Sequence, residues 1–198
     1  MFDFIHKCID LLFPPGHDAA LVSGAHVNSV KNFPSSVYKE CTYLLPYQKE
    51  LVRAYIHEAK FRNNSKATTV LAGVLESHLK KVRNESILIP IPLASARLRE
   101  RGHNQVLTIA TEALERIEHI RVVPDVLERV KNTTSQTHLE TKEDRESNVT
   151  DAFSVRDDVR EKIEGKHIIL LDDVITTGAT MRAAKNALLV YGPGSIDC

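Results

Sequence analysis

Apolar positions along the chain alternate between a helical and a strand period. Leu51, Tyr55 and Ala59 recur at helical spacing, which predicts a helix over 47–61, broken by Arg62-Asn63-Asn64-Ser65. Val70, Leu71, Val74, Leu75, Leu79 and Val82 predict a second amphipathic helix over 66–83. The run Ile87-Leu88-Ile89-Pro90-Ile91-Pro92 is short, β-branched and apolar, the pattern of a buried strand ended by Pro92. A basic loop follows, from Arg97 to Gln105, and Val106 to Ile120 returns to helical period. Residues 121–130 hold a short strand around Pro124. From Lys131 to Asn148 the chain is polar except for Leu139, and that length marks a functional or disordered connection. Thr150–Val155 reads as a strand, 157–164 as a turn or short helix, and His167–Leu171 as a second apolar strand. A polar loop, a helix from Thr180 to Tyr191 with Gly192 past its end, and a strand starting at Ser195 complete the pattern. Residues 1–16 read as a short amphipathic helix ended by Pro14-Pro15-Gly16, and 17–42, without a firm period, as irregular.

Strand, helix, strand, helix, strand predicts an α/β fold with a parallel sheet core flanked by helices. Ligands of such sheets bind beyond the carboxyl ends of the strands. The polar loops 93–105 and 172–180 both lie there and are expected to face each other.

Composition narrows the function classes. The chain has 198 residues, 42% hydrophobic and 26% charged, with 26 Lys+Arg balanced by 26 Asp+Glu. That balance argues against nucleic-acid binding through bulk electrostatics. Arg97 to His103 is basic but lacks the interleaved aromatics that single-strand stacking needs. Cys8, Cys41 and Cys198 lie far apart, forming neither a disulfide framework nor a zinc spacing. Asp3, Lys7 and Asp10 interrupt the first apolar run, so it does not read as a signal peptide, and no stretch approaches the ~20 apolar residues of a membrane span. A cytoplasmic protein without membrane contact is expected.

The segment Ile168-Ile169-Leu170-Leu171-Asp172-Asp173-Val174-Ile175-Thr176-Thr177-Gly178-Ala179-Thr180 carries the chemistry. A buried strand delivers two adjacent carboxylates to the sheet edge, and a tight Thr/Gly turn opens a helix. Free N–H groups and the positive dipole end of a helix N-terminus suit a phosphate, and Gly178 permits close backbone approach. The carboxylates repel phosphate but accept hydrogen bonds from sugar hydroxyls. Together they describe a phosphorylated sugar. The plain alternative is an ordinary βα turn with an Asp/Thr cap, but a cap uses one such residue, seldom two acids followed by this turn.

LLDDVITTGAT resembles the phosphoribosyl diphosphate (PRPP) motif of type I phosphoribosyltransferases. YLLPYQKELVRAYIHEAKFRN (43–63), IPIPLASARLRERGHNQ (89–105) and LERVKNTTSQTHLETKEDRESNV (127–149) resemble the ComF family in the same order. The resemblance implies a type I phosphoribosyltransferase fold over 43–198, with 1–42 a degenerate N-terminal segment in which the zinc module of relatives is lost. It implies that Asp172 and Asp173 hold the ribose hydroxyls, and that Thr176, Thr177, Gly178, Ala179 and Thr180 hold the 5′-phosphate. Arg97, Arg99 and Arg101 are then the cations of a pyrophosphate loop, against the alternative of a solvated basic turn. The 131–148 stretch resembles a flexible hood loop, with Arg129, Lys131 and Arg145 able to reach the diphosphate, against the alternative of a disordered loop with ordinary charges.

The implied activity is transfer of phosphoribosyl to an acceptor with release of pyrophosphate. Mg²⁺ is expected on the substrate's phosphate oxygens rather than in a protein metal site. The second reading is a non-catalytic PRPP- or phosphosugar-binding module acting with a helicase-like partner in competence and DNA uptake. A homodimer is a further expectation from the superfamily. Two features depart from the pattern. Thr176 stands where purine-salvage relatives carry an acid, which weakens a purine acceptor. The chain also stops at Cys198, four residues into the last expected strand, so the sheet is expected to end short or the chain to be truncated.

Overall fold

In the computed structural model, residues 15–26, 28–31, 33–130 and 152–198 are described. They form α1 (Pro15–Gly24), α2 (Asn28–Lys31), β1 (Ser36–Tyr38), β2 (Cys41–Tyr43), α3 (Glu50–Phe61), α4 (Ser65–Leu79), β3 (Ser86–Pro90), α5 (Ser95–Arg101) and α6 (Gln105–Leu114). These are followed by β4 (Ile120–Val122), β5 (Leu127–Arg129), β6 (Phe153–Val155), α7 (Arg160–Ile163), β7 (His167–Leu171), α8 (Ala179–Leu189) and β8 (Ser195–Asp197).

The expected parallel sheet is present, with strand order β4-β3-β7-β8 and every pairing parallel. Alternation along the strands divides the core. Ile89, Ile168 and Leu170 face Met181, Ala184 and Leu188 of α8, with Val155 and Phe153 of the β5–β6 hairpin in the same cluster. Leu88 and Ile169 face the other way, onto Ala72, Leu75 and Leu79 of α4 and Ala110 and Ala113 of α6. β3 and β7 pair from Ser86↔His167 to Pro90↔Leu171, and Ile91 N donates to Leu171 O at 2.8 Å. The chains leaving these two strands therefore start side by side at one sheet edge.

Three expectations are corrected. Residues 17–42 are not irregular: they form most of α1, α2 and the β1–β2 hairpin. Pro15 opens α1 with its φ already set for a helix, and Asp18 lies in the first turn. Val22 and Val30 join Val52, Tyr55 and Val70 in one cluster, too few apolar positions to show a period in the sequence. Around Pro124 the chain forms two strands, β4 and β5, of which β5 pairs antiparallel with β6 outside the main sheet. Finally, Arg97–Arg101 lies on a helix rather than in a loop. Ser, Ala, Leu, Arg and Glu over 95–101 favour helix, Leu98 N donates to Ala94 O at 2.9 Å, and Gly102 ends the helix at φ 75°. None of its residues is buried, so no apolar period announces it. The 1–14 part of the first expected helix and the whole of 131–148 lie outside the described residues.

Tyr55 is fully buried, and among the described residues its hydroxyl has no hydrogen-bond partner. Burial alone pushes its pKa up. Tyr55→Phe removes an unpaid desolvation penalty and keeps the ring, so thermal unfolding should show a gain of about 1 kcal/mol. A loss of stability would mean the hydroxyl has a partner.

Candidate functional site

β7 ends at Leu171, and the next two residues are the paired acids. Asp173 N donates to Asp172 Oδ1 at 2.8 Å, which turns the chain sharply off the strand. Burial, and then the charge of Asp173, push the Asp172 carboxyl up to about 7. Lys60 and Arg129 oppose this shift. Asp173 has its own counter-ion, with Lys60 Nζ 2.6 Å from Oδ2 and both side chains mostly covered.

The turn then closes on Gly178, which sits at φ 74° as the N-cap of α8. Ala179 N donates to Thr177 Oγ1 at 3.3 Å, and Arg182 N donates to Gly178 O at 3.0 Å. Asp172, Val174, Ile175, Thr176, Gly178, Thr180 and Met181 line a hollow of about 20 Å³ inside this turn. A Cβ at Gly178 would lie 3.4 Å from the Cβ of Lys39. Lys39 and Glu40 form the tip of the β1–β2 hairpin with φ of 50° and 64°, the left-handed pair a two-residue hairpin turn requires. Glu40 pairs with Lys185 of α8 at 3.6 Å, so the hairpin is docked over the turn that opens α8.

The arginines arrive from two other elements. Arg97 and Arg101 are four apart on α5 and share a face, whereas Arg99 lies about 200° round the helix; Arg97 and Arg99 are exposed and Arg101 is half-buried. Burial lowers the Arg101 pKa and Arg97 adds to that, while Asp173 opposes it. Burial and Arg97 likewise lower Arg129, while Asp172 opposes. Arg101 thus lies within electrostatic reach of Asp173, and Arg129 of Asp172, with Arg97 near both guanidinium groups. Both inner arginines lie over aromatic rings: Arg101 Cζ is 4.8 Å from the Phe61 centroid and Arg129 Cζ is 5.5 Å from that of Phe153. Lys131 and Arg145 lie outside the described residues.

RGHNQ, read in sequence only as a family mark, is the bracket that aims α5. Gly102 stops the helix. His103 Nδ1 contacts Arg101 O at 2.9 Å, and its Nε2 contacts Gln105 Oε1 at 2.8 Å. Asn104 caps α6, accepting from Val106 N at 3.1 Å, and its Nδ2 donates to Ile91 O just past β3. Buried Gln105 donates to Thr68 Oγ1 of α4 at 3.0 Å.

Sequence reasoning missed Lys60, Phe61 and Lys39. Lys60 lies four residues after half-buried Ile56, so its place at the edge of the buried face of α3 was a readable signal. Lys39 carried none. A cavity of about 950 Å³ opens beside Asp172, Asp173 and Lys60, with largely apolar walls that include Tyr43, Leu45, Ile56, Leu75 and Ile109. Cys41 and Cys198, remote in sequence, lie within hydrogen-bonding reach of each other. Burial, and then Cys41, push the Cys198 thiol up to about 12, so Cys198 stays a protonated, unreactive thiol. Among the described residues, no helix is long and apolar enough to cross a membrane.

Residues 69–198 match the phosphoribosyl transferase domain family. The chain is 30% identical over 145 residues to the competence protein ComFC of Bacillus subtilis, covering 72% of this chain and 55% of that protein. It is 29% identical over 148 residues to the DNA utilization protein YhgH of Escherichia coli O6:H1, covering 72% and 63%. A shorter likeness, 53% over 36 residues, links it to the bifunctional protein PyrR of Pseudomonas fluorescens and covers 18% of this chain. The chain thus spans less than two thirds of the length of ComFC and YhgH. No solved structure matches it.

Proposed function

The chain belongs to the ComF family and carries its phosphoribosyl transferase domain, and on that premise we propose that it binds PRPP with Mg²⁺ and transfers the phosphoribosyl group to an acceptor. One observation carries this reading: two carboxylates at the end of β7 stand directly before a glycine-capped helix N-terminus, with Arg101 in electrostatic reach of Asp173 and Arg129 of Asp172. A phosphate at one end, vicinal hydroxyls in the middle and a diphosphate at the other end match that order of charges.

In this reading the turn Thr176–Thr180 binds the 5′-phosphate through N–H and hydroxyl donors. Asp172 and Asp173 accept from the ribose hydroxyls and fix the ring. Arg97, Arg101 and Arg129 hold the diphosphate and favour the charge that builds on it as it leaves. The C1′–O bond breaks with its electron pair going to pyrophosphate, and a lone pair of the acceptor forms the new bond to C1′. Lys60 pairs with Asp173 and holds it in place. Mg²⁺ bound to diphosphate oxygens would add charge neutralisation. The donors here fit a cation that arrives on its substrate, because two carboxylates share the site with three guanidinium groups. The large apolar-walled cavity gives an acceptor with an apolar face room next to the reacting carbon.

A second reading has a specific motive. ComFC and YhgH are named for competence and DNA utilization, not for a transferase reaction. On it, the domain is a PRPP- or phosphosugar-binding module that serves DNA uptake beside a helicase-like partner.

Calorimetric titration of PRPP with Mg²⁺ tests both, with Asp172→Ala/Asp173→Ala alongside and pyrophosphate release followed over a panel of acceptors. Transfer requires binding and pyrophosphate release, both lost in the double variant. Binding without release across the panel favours the module. A folded wild-type chain that does not bind PRPP overturns the transfer reading, and one that binds neither PRPP nor ribose 5-phosphate overturns both.

A further inference from the structure

We propose that Phe61 is a positioning residue for the diphosphate end of the site, its ring face seating the Arg101 guanidinium; this rests on the PRPP reading above. Phe61 is the last residue of α3 and lies outside the matched 69–198 region. The Arg101 guanidinium carbon lies 4.8 Å from its ring centroid. On the same ring, Lys60 Nζ lies 5.9 Å from the centroid while its ammonium holds Asp173.

The ring has a second neighbour. His57, one turn earlier on α3, packs on it at 4.8 Å between centroids and 53° between planes. His57 Nδ1 lies 3.0 Å from Oδ2 of Asp18, a buried carboxylate of α1. A chain of contacts from α1 through α3 therefore ends under Arg101.

Stacking occupies one face of a guanidinium and leaves the N–H groups at its edge free to donate. Arg101 shows that state: its Nε is buried and, among the described residues, has no hydrogen-bond partner. A buried donor left unpaired is costly, and a diphosphate oxygen would complete it. An aliphatic side chain at 61 would preserve the packing but not the electron-rich face that holds the cation.

Titrations of wild type, Phe61→Leu and Phe61→Tyr with PRPP–Mg²⁺ and with ribose 5-phosphate–Mg²⁺ test this. Ribose 5-phosphate lacks the diphosphate. Phe61→Leu should weaken PRPP binding about fivefold and leave ribose 5-phosphate unchanged, and Phe61→Tyr should restore wild-type affinity. In an Arg101→Ala background, Phe61→Leu should have no further effect on PRPP. Unchanged PRPP affinity in Phe61→Leu, equal weakening of both probes, or full additivity with Arg101→Ala overturns the assignment while leaving PRPP binding intact. A wild-type chain that binds neither probe overturns the function reading and this inference with it.

Discussion

Affinity for PRPP should rise roughly 100-fold between pH 5 and pH 8, because Asp172 must ionise to accept hydrogen bonds from the ribose hydroxyls. Its carboxyl is pushed up to about 7, first by burial and then by the neighbouring charge of Asp173. At pH 5 only about one molecule in a hundred then holds the ionised form. The ligand's own phosphate also titrates near pH 6, so the informative comparison is with Asp172→Asn, which should show a clearly shallower slope. Parallel slopes for the two proteins would remove Asp172 from the site.

The same shift has a consequence for the ligand-free protein, of opposite sign. The folded-state pKa lies above the ordinary value of 3.8, so the native state keeps a proton that the unfolded chain gives up. This contribution to stability is fully present below about pH 4 and is lost as pH rises through about 7. The melting temperature of the free protein should fall across that window through this group, and Asp172→Asn should flatten the fall.

Gly178→Val should cost about 100-fold in PRPP affinity while the chain stays folded. Gly178 lies at φ 74°, where a β-branched residue is strongly disfavoured, so the turn must rearrange. Rearrangement misaims the N–H groups at the start of α8, and two charge-assisted hydrogen bonds lost to a phosphate account for an effect of that size. The added side chain would also press on Lys39, whose Cβ lies 3.4 Å from the new Cβ position, and so loosen the docked β1–β2 hairpin. Gly178→Ala should fall between the two. Circular dichroism melts separate folding from binding, and a Val variant that binds within twofold of wild type would displace the phosphate from this turn.

Much of the candidate site is legible in the sequence because its devices are local. An apolar β-branched run, two acids, then Thr-Thr-Gly-Ala-Thr specify β7, its end and the turn into α8 within a single stretch of chain. α5 was hidden for a local reason of another kind. A helix with no buried residue has no apolar period, and only its helix-forming residues and Gly102 mark it. Periodicity also missed α1, whose docking rests on a few apolar positions and the Asp18–His57 pair.

The sequence by itself therefore determined the order of elements in the α/β core, the parallel sheet and the place of the Thr/Gly turn that opens α8, because each follows from neighbouring residues and their period. Only the tertiary structure decided which charges meet. The Lys60 pairing with Asp173, the Phe61 face under Arg101, the separation of Arg99 from Arg97 and Arg101, the Lys39 hairpin over Gly178 and the adjacent Cys41 and Cys198 thiols all depend on strand order and helix docking. Such contacts join segments far apart along the chain. Their energies arise only when burial strips away water and brings the groups within a few ångströms.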